Sequence, residues 1–192
     1  MSKVIVAISM SVDGFITAAN IRPEEPLGDG GEQLHEWLTS EDVRNQEILT
    51  RGVSSIGAVI AGRRTYDASV PWWGADGPTG PARLPVFVVT HSVPEVVPEG
   101  GVYHFAPGIE VALTQARAAA ADKDISVMGG ASIVQQFLGV GLIDEIQLHL
   151  IPVLFGNGMR LFEHLGSEHI QLESTEVIGT AAATHLRYRI VK

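Results

Sequence analysis

Four short apolar segments of the chain have the composition of strands that are buried on both faces. Each is rich in β-branched residues and is followed by polar or turn-forming residues. The segments are residues 4–10, 56–61, 86–90 and 125–128. Continuous apolar runs of this length are typical of a parallel sheet that other elements cover on both sides.

Helical spacing occurs between some of these strands. A helix is expected over residues 39–51, because Thr39 and Asp42 have the spacing of a capping box and Gly52 follows the expected end. Two further segments repeat apolar residues at the spacing of one helix face. They are Ile109, Ala112, Leu113 and Ala116 in the first, and Ile133, Phe137 and Val140 in the second.

The last third of the chain alternates in polarity instead. Ile146, Leu148 and Leu150 alternate with Glu145, Gln147 and His149, and Leu186, Tyr188 and Ile190 alternate with His185, Arg187 and Arg189. Such alternation is typical of antiparallel strands with one buried and one wetter face, so we expect His149 to point out of its strand. The whole pattern predicts an α/β fold, with a mixed sheet flanked by helices. Residues 17–31 and 71–85 are expected to be loops.

The composition limits the classes of protein to which the chain can belong. Its 192 residues, 45% of them hydrophobic and 18% charged, are expected to form a single domain over 1–192. The net charge of -9 argues against nucleic acid and anionic membranes as partners. The chain has no cysteine, no metal-binding histidine motif, no signal peptide and no long apolar run. We therefore expect a cytoplasmic protein without a metal site.

Three of the buried strands are followed by residues that suit phosphate groups. Glycine exposes bare backbone, the first N–H groups of a helix have no partner, and arginine offers a planar cationic fork. Each motif alone also fits a tight turn or a solvated helix start. Because the carboxyl ends of parallel strands share one sheet edge, their coincidence predicts a ligand with at least two phosphates. The motifs are Gly62-Arg63-Arg64-Thr65, Thr90-His91-Ser92 and Gly129-Gly130-Ala131-Ser132.

Other residues are candidates for contact with a second ligand. Asp13 follows the first strand and is the catalytic candidate, which would orient or protonate a substrate; a plain Asp-Gly turn is the alternative. Trp37, Trp73 and Phe155 are candidates for the substrate wall. A hydrolase that uses Ser9 or Ser11 is a further alternative, although the chain has no Gly-x-Ser-x-Gly motif.

Five motifs spread over the chain resemble one known superfamily. They are Ser-Val-Asp-Gly at 11–14, Gly-Arg-Arg-Thr-Tyr at 62–66, Val-Met-Gly-Gly at 127–130, Leu-Ile-Asp-Glu at 142–145, and a Pro-x-Leu-x-Gly-x-Gly-x-x-Leu-Phe pattern within 152–162. On these motifs the chain resembles the dihydrofolate-reductase-like superfamily. The last motif is similar to the pattern found in the branch of this superfamily that contains the reductase domain of bacterial riboflavin biosynthesis.

The resemblance implies a mostly parallel sheet of about eight strands with antiparallel C-terminal strands. It also implies an enzyme that uses NADPH to transfer hydride to a pyrimidine-like or pterin-like heterocycle, and a homodimer. The cofactor phosphates would face Gly62, Arg63, Arg64 and Thr65, then Thr90 and His91, then Gly129, Gly130, Ala131 and Ser132. Ala7 and Ile16 would lie near the nicotinamide.

The chain also departs from the named activities of that superfamily. It lacks the Leu-Pro-Trp of dihydrofolate reductases, and Glu36, Glu41 and Asp42 do not match their proton-donating acid. It lacks the Asp-Asp-Pro of riboflavin reductase domains and the zinc-binding cysteines of their deaminase partner. The resemblance therefore implies a stand-alone reductase. The alternative is a non-catalytic protein that binds a nucleotide or small molecule and retains the cofactor site.

Overall fold

The computed structural model describes residues 2–192 and contains one eight-stranded and one two-stranded sheet. The strands are β1 (Val4–Ser11), β2 (Phe15–Thr17), β3 (Ile56–Gly62), β4 (Val86–Val89), β5 (Tyr103–Ala106), β6 (Asp124–Gly129), β7 (Glu145–Ile151), β8 (Met159–Arg160), β9 (Leu172–Gly179) and β10 (Thr184–Ile190). The helices are α1 (Val43–Ser55), α2 (Arg63–Trp73), α3 (Ile109–Ala120) and α4 (Ala131–Gly139). Two 3-10 helices span Gly31–Thr39 and Gly77–Ala82.

The large sheet has the order β5-β4-β3-β6-β1-β7-β10-β9. Neighbouring strands from β5 to β7 are parallel, whereas β10 pairs antiparallel with both β7 and β9. This confirms the predicted mixed, mostly parallel sheet with antiparallel C-terminal strands. The four apolar segments form β1, β3, β4 and β6, which occupy the interior of the sheet.

Both faces of the sheet are covered, as the continuous apolar runs predicted. Successive residues of β3 point to opposite sides: Ala58 and Ile60 join the core beneath α3 and α4, while Val59 and Ala61 join a second cluster with Tyr66 of α2. A third cluster lies under α1 and the first 3-10 helix. It contains Leu34, Trp37, Ile48, Ile151 and Ala183.

The predicted boundaries of two helices were wrong. Asp42 is the N-cap of α1 and accepts a hydrogen bond from the Arg44 N–H, so the helix begins after Asp42 and not at Thr39. The helix then passes through Gly52 to Ser55. Val140 lies beyond α4 and is 59% exposed, so Ile133, Val134, Phe137 and Leu138 form the buried face instead.

The segment 71–85 is more regular than the loop that was predicted. α2 continues through Pro71 to Trp73, and a 3-10 helix follows over Gly77–Ala82. Pro71 has no N–H to bond to the preceding turn, but the helix continues past it, and the Gly74 N–H closes the helix on the Val70 carbonyl.

The polar residues of β7 are buried, which corrects the expected wetter face. Glu145 is 6% exposed and pairs with Lys3 and Arg187, and His149 is 9% exposed beneath Trp37 of the first 3-10 helix. Within residues 2–192 we find no helix with the length and apolar character of a membrane span. The same residues contain no cluster of three or more potential metal ligands.

Candidate active site

The glycine turns after β3 and β6 lie side by side at the carboxyl edge of the sheet. A Cβ placed on Gly62 would lie 3.6 Å from both Gly129 O and Gly130 N, and one on Gly130 would lie 3.3 Å from Thr65 Oγ1. β3 and β6 are neighbours in the sheet, so α2 and α4 begin beside each other. The structure therefore brings two of the three predicted phosphate motifs together.

The first turns of α2 and α4 suit an anionic ligand. Their N-caps, Gly62 and Gly130, provide no side chain to cap the first N–H groups. Those groups have no partner within the helix and lie at the positive end of the helix dipole. Gly129 has φ 118°, a conformation that favours glycine. The residues present thus fit a phosphate-bearing cofactor. Ala131 is buried and Ser132 is exposed at the start of α4.

The two neighbouring arginines of α2 have different surroundings. Arg63 pairs with Asp67 at 2.7 Å and donates hydrogen bonds to Ser92 O at 2.8 Å and Thr90 Oγ1 at 3.4 Å. It thereby fastens the third predicted motif, after β4, to α2. Arg64 is exposed and has no ion-pair partner among residues 2–192. Arg64 is therefore available to a ligand, as is the exposed side chain of His91.

Asp13 acts as a hydrogen-bond acceptor for a loop that follows β7. Its carboxylate accepts hydrogen bonds from the Ser11 hydroxyl at 2.6 Å and from the N–H groups of Phe155 at 3.1 Å and Gly156 at 2.7 Å. The Ser11 hydrogen bond, followed by the two backbone donors, lowers the pKa of Asp13 to about 2. These hydrogen bonds support an orienting role for Asp13.

The same loop is clamped to β2 by backbone and side-chain contacts. Thr17 Oγ1 accepts a hydrogen bond from the Met159 N–H at 3.2 Å, and Arg160 donates to Asp13 O at 3.0 Å. The Arg160 guanidinium also lies 4.3 Å from the centre of the Phe15 ring. The small sheet of β2 and β8 therefore holds residues 155–160 in place beside the end of β1.

The three aromatic candidates for a substrate wall do not lie together. Trp37 is buried in the third cluster, and Phe155 packs against that cluster. Trp73 packs instead against the second cluster, which contains Tyr66. The two candidates for the nicotinamide region lie in the N-terminal strands. They are Ala7, in the middle of β1, and Ile16, which is buried in β2.

A buried polar group near Trp37 was not anticipated. Ser9 of β1, His149 of β7 and His185 of β10 are cross-strand partners, and Asn45 of α1 reaches the same row. Burial lowers the pKa of both histidines, that of His149 to about 3. The alternation of polarity predicted that His149 and His185 each lie on the polar face of their own strand. Only the strand register shows that the two side chains meet.

Comparison with known families gives one match over most of the chain. Residues 2–184 match the model of the RibD C-terminal domain family. A curated relative, the uncharacterized protein YwjB of Bacillus subtilis, is 26% identical over 184 residues, which cover 95% of this chain and 96% of YwjB.

Solved structures share the fold over the full chain. A protein from Shewanella sp. PV-4, provisionally described as a riboflavin biosynthesis protein, has TM-score 0.75 at 23% identity and 99% coverage of both chains. A Thermotoga maritima deaminase and 5-amino-6-(5-phosphoribosylamino)uracil reductase has TM-score 0.67 at 15% identity, with 99% of this chain and 57% of that one covered. Dihydrofolate reductase from Enterococcus faecalis, complexed with NADP(H), has TM-score 0.59 at 13% identity, with 99% and 97% covered. The fold is therefore dihydrofolate-reductase-like.

Proposed function

The chain belongs to the RibD C-terminal domain family, and from this premise we propose that it is a reductase that uses NADPH to reduce a pyrimidine-like or pterin-like heterocycle. The observation that carries the proposal is the pair of uncapped helix N-termini, after Gly62 and Gly130, that adjoin at the carboxyl edge of the sheet. NADP(H) is bound by the Enterococcus reductase of the same fold, and the Thermotoga relative is described as a uracil reductase.

NADPH, when bound, supplies the hydride, while the protein binds and orients both reactants. We assign the pyrophosphate to the backbone N–H groups at the starts of α2 and α4. Arg64 offers its guanidinium to the 2′-phosphate, and Arg63 keeps the turn at Thr90 and His91 in position. Ala7 and Ile16 remain the candidates for the nicotinamide region.

The substrate side of the proposal rests on the third cluster. Trp37 and Phe155 pack in that cluster, and Asp13 holds the Phe155 backbone through its N–H group. Trp73 is left out of the proposed wall because it packs in the second cluster. In this proposal Asp13 orients the loop through the N–H groups of Phe155 and Gly156.

A second candidate function is a binding protein that retains the cofactor site without turnover. The commitment of the Asp13 carboxylate to three hydrogen-bond donors favours this candidate, because it removes the acid that the motifs first indicated. Oxidation of NADPH in the presence of a pyrimidine, pterin or flavin would exclude it.

The cytoplasmic location and the homodimer stay predictions. β9 pairs only with β10 among the described strands, so its other edge is available for pairing with a second subunit.

A thermal-shift titration with NADPH and NADH tests the cofactor proposal. A ligand that binds only the folded state raises the melting temperature, and we expect a larger rise with NADPH. Arg64→Ala should weaken NADPH binding about tenfold and leave NADH binding nearly unchanged, since it removes a charged hydrogen bond. Arg117→Ala, which removes an exposed arginine on α3, is the matched control.

Two results would contradict the proposal at different points. If neither cofactor raises the melting temperature of the wild-type protein, the cofactor site is wrongly assigned. If Arg64→Ala weakens NADPH and NADH equally, the site stands but Arg64 does not contact the 2′-phosphate.

A further inference from the structure

A row of polar side chains crosses three strands beneath Trp37. Ser9, His149 and His185 occupy paired positions on β1, β7 and β10, so their side chains share one face of the sheet. All three are buried among the apolar residues of the third cluster. Polar groups in such surroundings need hydrogen-bond partners, because an unpaired one is costly to bury.

The row forms one continuous set of contacts. His149 Nδ1 lies 2.8 Å from His185 Nδ1, and His185 Nε2 lies 2.9 Å from Asn45 Oδ1. Trp37 donates its indole N–H to Ser9 Oγ at 2.9 Å, and its ring centre lies 4.3 Å from that of His149. The imidazole of His149 is therefore held by Trp37 beside its ring and by His185 at Nδ1.

The amide of Asn45 sets the direction of these hydrogen bonds. In the structure the Asn45 amide turns Oδ1 towards His185, and an amide oxygen only accepts, so in this amide orientation His185 carries its proton on Nε2 and presents a lone pair at Nδ1. His149 must then donate from its own Nδ1, which leaves the lone pair of His149 on Nε2. Burial keeps both rings neutral at pH 7, since it lowers the pKa of each.

His149 Nε2 is the last atom of this hydrogen-bonded row. It has no hydrogen-bond partner among residues 2–192, yet it is not among the fully enclosed unpaired atoms, which are Asn45 Nδ2 and Tyr66 Oη. A nitrogen that is not fully enclosed, and whose lone pair lies beside Trp37, can accept a hydrogen bond from a flat ligand.

We propose that His149 selects the substrate by accepting a hydrogen bond at Nε2 from a ring N–H of a lactam-type heterocycle, with His185 and Asn45 as positioning residues. The proposal rests on the proposed function, because it places the heterocycle against the wall formed by Trp37 and Phe155. It favours rings that present N–H groups at this edge over rings that present only acceptor nitrogens there.

Ring ¹⁵N NMR of the histidines tests, without any ligand, which ring nitrogens donate and which accept in this hydrogen-bonded row. We expect the Nδ1–H tautomer for His149 and the Nε2–H tautomer for His185. The opposite tautomers would overturn the proposal, because His149 Nε2 would then be a donor. Asn45→Leu, which removes the Oδ1 acceptor, should abolish the preference of His185 for Nε2–H.

Binding of 5,6-diaminouracil and its 1,3-dimethyl derivative tests the contact itself. Methylation removes the ring N–H groups, so the wild-type protein should bind the dimethyl compound about tenfold more weakly. His149→Phe keeps a flat ring and should bind both compounds with similar, weak affinity. His169→Phe, at an exposed histidine, is the control and should behave as the wild type. His149→Gln, which keeps an acceptor oxygen, should recover part of the discrimination.

The outcomes separate this inference from the cofactor proposal. Equal affinity of the wild-type protein for the two compounds, or no binding of 5,6-diaminouracil, would overturn the role of His149 even if NADPH binds. Discrimination by the wild type that His149→Phe retains would also overturn it. Absence of NADPH binding with normal discrimination would contradict the proposed function and leave the role of His149 intact. If His149→Phe fails to fold, ring ¹⁵N NMR of the wild type decides: the Nε2 resonance of His149 should shift when 5,6-diaminouracil binds, and the absence of a shift would overturn its role.

Discussion

At the scale of single residues, Asp13 shows how surroundings change the meaning of a motif. An acid just after the first strand is a natural candidate proton donor. In the structure it receives hydrogen bonds from Ser11, Phe155 and Gly156, and these donors stabilise its charged form. The residue joins two segments that are far apart in sequence, because its carboxylate holds the loop after β7 against the end of β1.

Asp13→Asn should alter the acid sensitivity of folding. The pKa of Asp13 is about 2 in the folded protein and near its usual value of 3.8 in the unfolded chain. Its contribution to stability is therefore present above pH 4 and is lost as the pH falls from about 4 to about 2. We expect melting temperatures of the wild type to fall more steeply over that window than those of Asp13→Asn.

The matched control for this prediction is Asp122→Asn, which neutralises an exposed carboxylate in the turn after α3. It should follow the wild-type curve. Parallel curves for the wild type and Asp13→Asn would show that the hydrogen bonds to Asp13 do not favour its ionised form.

A sequence pattern cannot distinguish the roles of the adjacent residues Arg63 and Arg64. Both fit a phosphate motif, and identical side chains in adjacent positions carry no signal of their roles. Their directions on α2 decide: one faces Asp67 and the β4 turn, the other faces solvent. In the same way, His149 and His185 became a pair only once the register of β7 and β10 was known.

At the scale of elements, the apolar runs predicted the interior strands because burial on both faces leaves a continuous hydrophobic signature. Helix boundaries were less predictable. Thr39 has capping-box spacing, yet residues up to 39 are used by a 3-10 helix that places Trp37 over the sheet. Tertiary packing therefore outweighed the local capping preference at this position.

The clamp between β2 and β8 depends on one glycine. Gly158 has φ 149°, and a Cβ there would lie 2.0 Å from the Thr17 carbonyl oxygen. Gly158→Ala should destabilise the protein by about 2 kcal/mol or more, since it combines backbone strain with a clash against fixed backbone. Urea unfolding would measure the change in the free energy of unfolding.

Gly179→Ala is the control for this substitution, because no atom lies within 4 Å of a Cβ at that position and its φ is not positive. It should change the free energy of unfolding by less than about 0.5 kcal/mol. Similar values for the two variants would mean that residues 155–160 can shift freely and are not held by the clamp.

At the scale of the whole molecule, the buried histidine pair should make stability depend on pH near neutrality. Both histidines have a folded pKa below the unfolded value of 6.5, so the unfolded chain binds more protons as the pH falls below 6.5. Asp42 and Glu176, which face His185, offset part of this effect. We expect the melting temperature to drop between pH 7.5 and about 5.

The double variant His149→Gln, His185→Gln should lose less of its melting temperature over that range than the wild type, even if its melting temperature at pH 7.5 is lower. The double variant His91→Gln, His169→Gln removes two exposed histidines and should keep the wild-type slope. A wild-type slope in the first variant would show that other groups govern the response to acid.

The position of β1 between β6 and β7 also bears on biosynthesis. β1 leaves the ribosome before both of its partners, which begin at Asp124 and Glu145. During synthesis its apolar side chains therefore stay without these partners until β6 and β7 have been made. Contacts between such distant segments slow folding and prolong exposure of apolar surface. We therefore expect chaperones that bind extended hydrophobic segments to improve the yield of folded protein during translation.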